Sequence, residues 1–427
     1  MSSINRRDFL RAAAATGAVA GLSSLAGCAT TPGSAGRVVV IGGGFGGATA
    51  AKYIRMWAPA IDVTLVERNG SFVSCPFSNR VLAGVMKIDE ITVGYGKLGP
   101  NHGVNVVRGE AIGVDTSKQV VSLAGGTTLP YDRLVIAPGV DFMYEGIPGL
   151  NNAAAQERIR HAWKAGPETV ALRAQLEAMP DGGVYALVIP VAPYRCPPGP
   201  YERACQVAHY FKTRKPRSKV LILDGNPDVV SKKGLFMAAW NGQYKGIVQY
   251  MPNHELQDVD AKTNTAIFIG DRQRADVLNV IPPQRAGEIA RRAGVANANN
   301  RWCGIDWLTM ESTVAKNVHV IGDATLSAPG MPKSGHMANN HAKHCADAIA
   351  ALMTGRAVND EPIIANTCYS WINDREAVHV ASVHAYDKGQ KTLVAVKGSG
   401  GLSPAPSVKE GAYARAWADA IWSDMLA

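Results

Sequence analysis

The stretch Arg37-Val-Val-Val-Ile41, followed at once by Gly42-Gly43-Gly44-Phe45-Gly46-Gly47, constrains the fold of this chain more than any other. A short apolar run rich in β-branched residues reads as a buried parallel strand. Residues 48–57 carry apolar positions at helical spacing, and Asp62-Val-Thr-Leu-Val66 reads as a second strand ending in Glu67. The glycines therefore stand as G-x-G-x-x-G in a strand–turn–helix context. Gly42 permits the tight turn, Gly44 lets a pyrophosphate approach the backbone, and Gly47 lets the helix pack on the strand. The helix N-terminus then faces the phosphates. Glu67 lies 20 residues beyond Gly47, where a carboxylate accepts hydrogen bonds from ribose hydroxyls. The segment predicts a dinucleotide-binding βαβ unit.

Two later segments narrow the dinucleotide. Leu129-Pro-Tyr131-Asp132-Arg-Leu-Val-Ile-Ala137-Pro-Gly139 reads as a turn, a strand and a glycine-ended loop. Asn317-Val-His-Val-Ile-Gly322-Asp323-Ala324 reads as a strand ending in Gly-Asp. In this order after the glycine loop, both resemble the flavoprotein disulfide reductase superfamily. That resemblance implies FAD at the first unit, with Gly139 beside it and Asp323 on its ribityl chain.

A second βαβ unit begins near Gly183, with strands predicted over 184–189 and 219–223 and a helix over 201–211. Its first connection is Pro190-Val-Ala-Pro193-Tyr-Arg-Cys196-Pro197-Pro198-Gly199-Pro200. Five prolines remove five backbone N–H donors where a pyrophosphate would need them. No tight NAD(P) site is expected there, and Cys196 becomes the candidate redox group of the loop.

Seven cysteines stand at 28, 75, 196, 205, 303, 345 and 368, with no C-x-x-C among them. That spacing excludes a zinc ribbon, a thioredoxin motif and a c-type haem on this chain. Cys196 precedes a predicted helix and has Arg195 beside it, an environment that lowers a thiol pKa. Cys205, Cys303 and Cys345 read as small buried hydrophobes. His336, His341 and His344 complete no standard ligand spacing and read as packing or surface residues, so no metal is expected.

The run Pro193-Tyr-Arg-Cys196-Pro-Pro-Gly-Pro-Tyr201-Glu202-Arg203-Ala204 is similar to the flavoprotein subunits of flavocytochrome c sulfide dehydrogenases, and the resemblance extends over nearly the whole chain. It implies a redox disulfide between Cys196 and Cys368 beside the flavin, and an acid/base role for Glu202. It implies covalent attachment of FAD through Cys75, in Phe72-Val-Ser-Cys75-Pro-Phe-Ser78-Asn79; Pro76 stands where that family is expected to carry an aromatic, which leaves the thioether open. It also implies that Trp422 approaches the flavin and that the helix starting at Lys333-Ser-Gly335-His336 aims its positive end there. Sulfide is then the substrate, and the electrons pass to a haem on a partner c-type cytochrome. Two alternatives remain: a sulfide:quinone oxidoreductase, and a flavoprotein partner that reactivates a sulfur-carrier protein.

The N-terminus carries Arg6-Arg7-Asp8-Phe9-Leu10 before an Ala/Gly-rich stretch, which resembles a twin-arginine export signal and implies a periplasmic location. Leu25-Ala26-Gly27-Cys28 also resembles a lipoprotein box. Cleavage at a lipidated Cys28, which would place the protein at a membrane, and an ordinary cut near Ala29 or Ala35 both stay open. The net charge is +9, but the basic residues are scattered, and the run Lys212–Lys219 reads as a solvated turn. Without a basic face interleaved with aromatics, no nucleic-acid partner is expected.

The predicted architecture is α/β. Residues 1–35 form the signal and linker, 36–150 with 291–360 the FAD-binding domain, and 151–290 a second, degenerate Rossmann-like domain. Residues 361–427 form a smaller α+β interface domain.

Overall fold

The computed structural model describes residues 33–427. The export signal and Cys28 lie outside the described residues. The chain enters through β1 (Gly36–Ile41), α1 (Phe45–Trp57) and β2 (Ile61–Glu67), and continues to β3 (Asn105–Arg108) and β4 (Arg133–Ile136). It leaves this half along β5 (Val140–Phe142). The second half comprises β6 (Val184–Ile189), α2 (Gly199–Arg214), β7 (Lys219–Asp224), α3 (Lys233–Asn241), β8 (Val248–Met251) and β9 (Val277–Val280). The chain returns along β10 (Gln284–Ala286), which pairs antiparallel with β5. Then follow β11 (Val318–Val320) and α4 (Gly335–Thr354). The C-terminal part is β12 (Ile363–Trp371), β13 (Ala377–Asp387), β14 (Thr392–Ala395) and α5 (Val408–Leu426).

Two parallel sheets organise the molecule. The first has the order β11-β4-β1-β2-β3, the second β8-β7-β6-β9. The central strands of each are buried along their length, from Val38 to Ile41 and from Tyr185 to Ile189. Helices cover the faces of such sheets, which is why these strands are continuous apolar runs without alternation. α4 packs on α1. The C-terminal sheet is antiparallel, and the C-terminal part joins both cores: Trp371, Leu393 and, on α5, Trp422 pack with the first sheet, Ile372 and Val378 with the second. Residues 363–371 are thereby held between the two halves.

The basic run after α2 departs from its expected solvation. Lys215 is buried, and its ammonium donates to the carbonyls of Leu176 and Glu177 at 2.8 and 2.7 Å. Its aliphatic stem fills space under α2 while the charge finds backbone acceptors. Arg217 pairs with Asp181 at the surface.

Candidate functional site

A cavity of about 740 Å³ runs from the glycine loop, between the two sheets, to the C-terminal strand β12. Its first wall follows from the turn after β1. Gly42 has φ +97°, and a Cβ there would lie 2.4 Å from the carbonyl oxygen of Ala137. A Cβ on Gly47 would lie 1.7 Å from the carbonyl oxygen of Gly42, so α1 seats against its own entry loop only because position 47 is glycine. A Cβ on Gly44 would meet nothing within 4 Å, so the backbone there faces open space that a phosphate can fill. Gly42 and Gly44 line the cavity; Gly47 acts behind it. At the end of β2, Glu67 also lines the cavity and accepts from the Gly43 N–H at 2.7 Å and from the Asn69 N–H at 2.8 Å.

The opposite wall carries Gly139, at φ +65°, and Asp323, just beyond β11. Oδ1 of Asp323 is buried without a hydrogen-bond partner, and burial raises its carboxyl pKa. A buried acceptor with no donor calls for one, and a ribityl hydroxyl is a donor of that kind. Together with the open backbone at Gly44 and the carboxylate of Glu67, this set fits FAD. The start of α4 closes the same region, capped by Ser334, whose Oγ accepts from the Met337 N–H at 3.0 Å. Ser334, Gly335 and His336 line the cavity. His341 and His344 are buried in packing: Nδ1 of His341 accepts from the Gly322 N–H at 3.2 Å, and Nε2 of His344 bonds the Trp307 carbonyl at 2.8 Å.

Three cysteines reach this cavity from separate parts of the chain: Cys75, Cys196 and Cys368. Cys75 sits beside a short helix, Ser78–Leu82, and its Sγ accepts from the Ala165 N–H at 3.5 Å. Cys196 adopts φ +58°, and its N–H donates to the Lys333 carbonyl at 2.8 Å. A Cβ on Gly199 would lie 2.8 Å from the sulfur of Cys196, so the glycine after the two prolines makes room for that thiol. Cys368 lies on β12 and exchanges contacts with the Asn366 side chain at 3.4 Å. Both Cys196 and Cys368 are free thiols in this structure. Cys205, Cys303 and Cys345 are buried in the cores.

The environment of Cys196 corrects one expectation. The start of α2 and Arg195 were expected to lower its pKa. Burial instead pushes the thiol up, and Cys368 and Glu202 push it further in the same direction, outweighing Arg195 and Lys232. Desolvation of a thiolate exceeds the help of a helix end here.

Glu202, in the first turn of α2, is 7% exposed and lines the cavity. Its carboxylate accepts from the Trp371 N–H at 2.9 Å and from Asn79 Nδ2 at 3.0 Å. Burial raises its pKa, against the pull of these bonds and of Lys232 and Arg80. Asn79 also accepts from Arg203 Nε at 3.0 Å, which ties Glu202 to a fully buried arginine. Arg80 lies 3.7 Å over the ring of Trp371.

Trp422 is a second correction. It does not line the cavity; it packs behind Phe77, ring centroids 6.1 Å apart, while Trp371 and Trp417 form the wall. Residues 417 and 422 are about 140° apart around a helix, so one helix cannot turn both to the same side. Sequence reasoning also missed Asn79, Arg80, Arg203 and Lys232. Arg203 and Asn79 stand inside the runs that resemble the family, next to Glu202 and four residues after Cys75, and those places were their signal; Arg80 and Lys232 have none.

Comparison with known proteins gives three family matches within the described residues. One described as sulfide dehydrogenase (flavocytochrome c) flavoprotein chain, central, covers residues 169–282. One described as flavocytochrome c sulphide dehydrogenase, flavin-binding, covers 360–426, and a pyridine nucleotide-disulphide oxidoreductase match covers 36–172. A twin-arginine translocation signal matches residues 3–23. The chain is 67% identical over 45 residues to the sulfide dehydrogenase (flavocytochrome c) flavoprotein chain of Chlorobaculum thiosulfatiphilum, which is 10% of this chain and 94% of that sequence. It is 24% identical over 298 residues to the mitochondrial sulfide:quinone oxidoreductase of Mus musculus, 68% of this chain and 65% of that one. The fold resembles the crystal structure of the sulfide:quinone oxidoreductase of Aquifex aeolicus, with a TM-score of 0.73, 19% identity and 91% of each chain covered.

Proposed function

Because this chain belongs to the flavocytochrome c sulfide dehydrogenase flavoprotein family, we propose that it oxidises sulfide in the periplasm and delivers the electrons to a c-type cytochrome. It is a flavin-dependent oxidoreductase, and its twin-arginine signal directs export. The two parallel sheets are read as two dinucleotide-binding-type domains, of which only the first keeps a phosphate loop.

One observation carries the reading: Cys75, Cys196 with Glu202, and Cys368, from three separate chain segments, converge on the wall of the cavity that begins at the glycine loop. Gly42, Gly44, Glu67, Gly139 and Asp323 would hold FAD, with Cys75 as the point of covalent attachment. When bound, FAD supplies a two-electron acceptor that can pass electrons on one at a time.

The residues of this chain set up the sulfur chemistry. Hydrosulfide attacks the Cys196–Cys368 disulfide. A new S–S bond forms as the old one breaks, leaving a persulfide on one cysteine and a thiolate on the other. Glu202, its pKa raised by burial, takes up and holds the proton that the sulfide loses; the Trp371 N–H and Asn79 keep its oxygens in place. A second sulfide, or a growing sulfur chain, displaces the persulfide sulfur as polysulfide and leaves Cys196 and Cys368 as the free thiols seen here; re-forming their disulfide would release two electrons to bound FAD. The proline loop withholds backbone donors from a pyrophosphate, so no step uses NAD(P)H.

Anaerobic titration of the purified protein tests this. Sulfide should bleach the visible flavin absorption and NADH should not; bleaching by NADH would return the protein to the pyridine-nucleotide reductases. The fold likeness to sulfide:quinone oxidoreductase supports quinone as the second candidate acceptor. Turnover with a soluble quinone, compared with turnover with cytochrome c, decides between them.

A further inference from the structure

Lys232 precedes α3 in a left-handed conformation, φ +56°, and is 4% exposed. Its ammonium donates to the Cys368 carbonyl at 2.6 Å and to Ser370 Oγ at 2.8 Å. Both acceptors are neutral, and among the described residues Lys232 forms no ion pair. A buried cation without a counter-ion is costly. The groups that pull on its charge are Cys368, Glu202, Cys196 and, more weakly, Glu410, and all of them favour the ammonium. Burial alone works the other way and brings Lys232 down to about 8.

The chemistry proposed above changes the charge beside this lysine. A disulfide is neutral; opened by hydrosulfide, it becomes a persulfide and a thiolate. Lys232 therefore faces more negative charge once the bond has opened than before it. A cation that is better matched to the opened pair than to the closed one lowers the barrier between them. We infer that Lys232 is a positioning residue of the sulfide-oxidising site, one that balances the negative charge created at Cys196 and Cys368 when their disulfide opens. The strand β12 presents Cys368 to this charge through its own carbonyl, so the lysine also fixes the backbone that carries the sulfur. This inference rests on the disulfide reading, but its test does not use turnover.

The flavin-loaded protein, reduced with dithiothreitol and freed of the reductant, is alkylated with iodoacetamide at neutral pH. The rate at Cys196 is followed by peptide mass spectrometry. In Lys232→Met, which keeps the volume without the charge, Cys196 should react about tenfold more slowly, because the thiolate and not the thiol is the nucleophile and Lys232 is one of the two cations that favour it. Lys232→Arg should recover most of the rate. Lys232→Gln serves if the Met variant does not fold, as judged by its melting curve. An unchanged rate in a folded, uncharged variant overturns the inference. Cys196→Ser and Cys368→Ser, assayed in parallel for sulfide-dependent bleaching, report on the disulfide reading alone. If both still bleach, that reading fails while the alkylation result stands.

Discussion

The turn after β1 and the turn after β6 occupy equivalent places: each leaves the end of a central parallel strand and enters a helix. Their chemistry is opposite. The first is built from glycines, one with φ +97°, and leaves its backbone open at Gly44. The second is built from prolines and brings a thiol, Cys196, into a left-handed conformation at φ +58°. The cavity at the end of β6 is separate and smaller, about 460 Å³, and is lined by Pro190, Val191 and Ala192 where the first loop has its glycines. One scaffold thus offers a glycine cradle open enough for a phosphate on one side and a proline arm that presents a thiol on the other. Position in the fold sets where chemistry happens, while residue type in the loop sets which chemistry.

The sharpest way to break this contrast is at the arm. Cys196→Ser or Cys368→Ser should lower sulfide-dependent flavin reduction about 10³-fold or more, since each removes half of the reacting bond. Flavin content should stay normal, and stopped-flow absorbance measures both. At the cradle, Gly47→Val should leave most of the purified protein without flavin, seen as a fall in visible absorbance per chain, because its Cβ would overlap the Gly42 carbonyl. Such a variant that still bound flavin normally would show that the glycine loop is dispensable.

A smaller effect separates the acid from the sulfur. Glu202→Gln should slow sulfide oxidation about 10²-fold at neutral pH and flatten the pH profile of kcat/KM. The smallest effect concerns the frame of the first sheet. His319, on β11, is fully buried; its Nδ1 bonds the Thr309 carbonyl at 2.8 Å and its Nε2 faces Arg133 at 3.1 Å. Burial depresses its pKa from 6.5 to about 3. Below pH 6.5 the unfolded chain takes up a proton that the folded chain refuses, so stability present above that pH is lost as pH falls toward 3. The melting temperature of wild type should drop between pH 7 and pH 5 by several degrees more than that of His319→Gln.

Much of the site was legible where the chemistry is written in consecutive residues. Gly42, Gly44, Gly47 and Glu67 form a motif because a phosphate loop needs them at fixed backbone offsets. Asp323 follows the strand β11 at a Gly-Asp turn, and Cys196 sits in a loop marked by its prolines. What stayed hidden arrives through packing. Asn79 and Arg203 come from two different helices and meet through a hydrogen bond, and Lys232 reaches the site through its bonds to β12. Trp417 and Trp422 were both visible as aromatics on a terminal helix. Which one faces the cavity depends on how α5 is rotated against α1 and β13, and that angle is a property of the folded interface. The thiol environment of Cys196 was misjudged for a related reason: a neighbouring arginine is visible in sequence, whereas the depth of burial is not.

The hydrogen bond from the Cys196 N–H to the Lys333 carbonyl has a mechanical consequence. Lys333 belongs to the segment between β11 and α4, and its own ammonium reaches back to the Asp323 carbonyl at 3.0 Å. The sulfur of the second half is therefore moored to the wall that the first half supplies. The two halves are otherwise joined by β5 and β10, which pair with each other. Moored at residue 333, the sulfur takes its position from the bank opposite its own loop as well as from the loop itself.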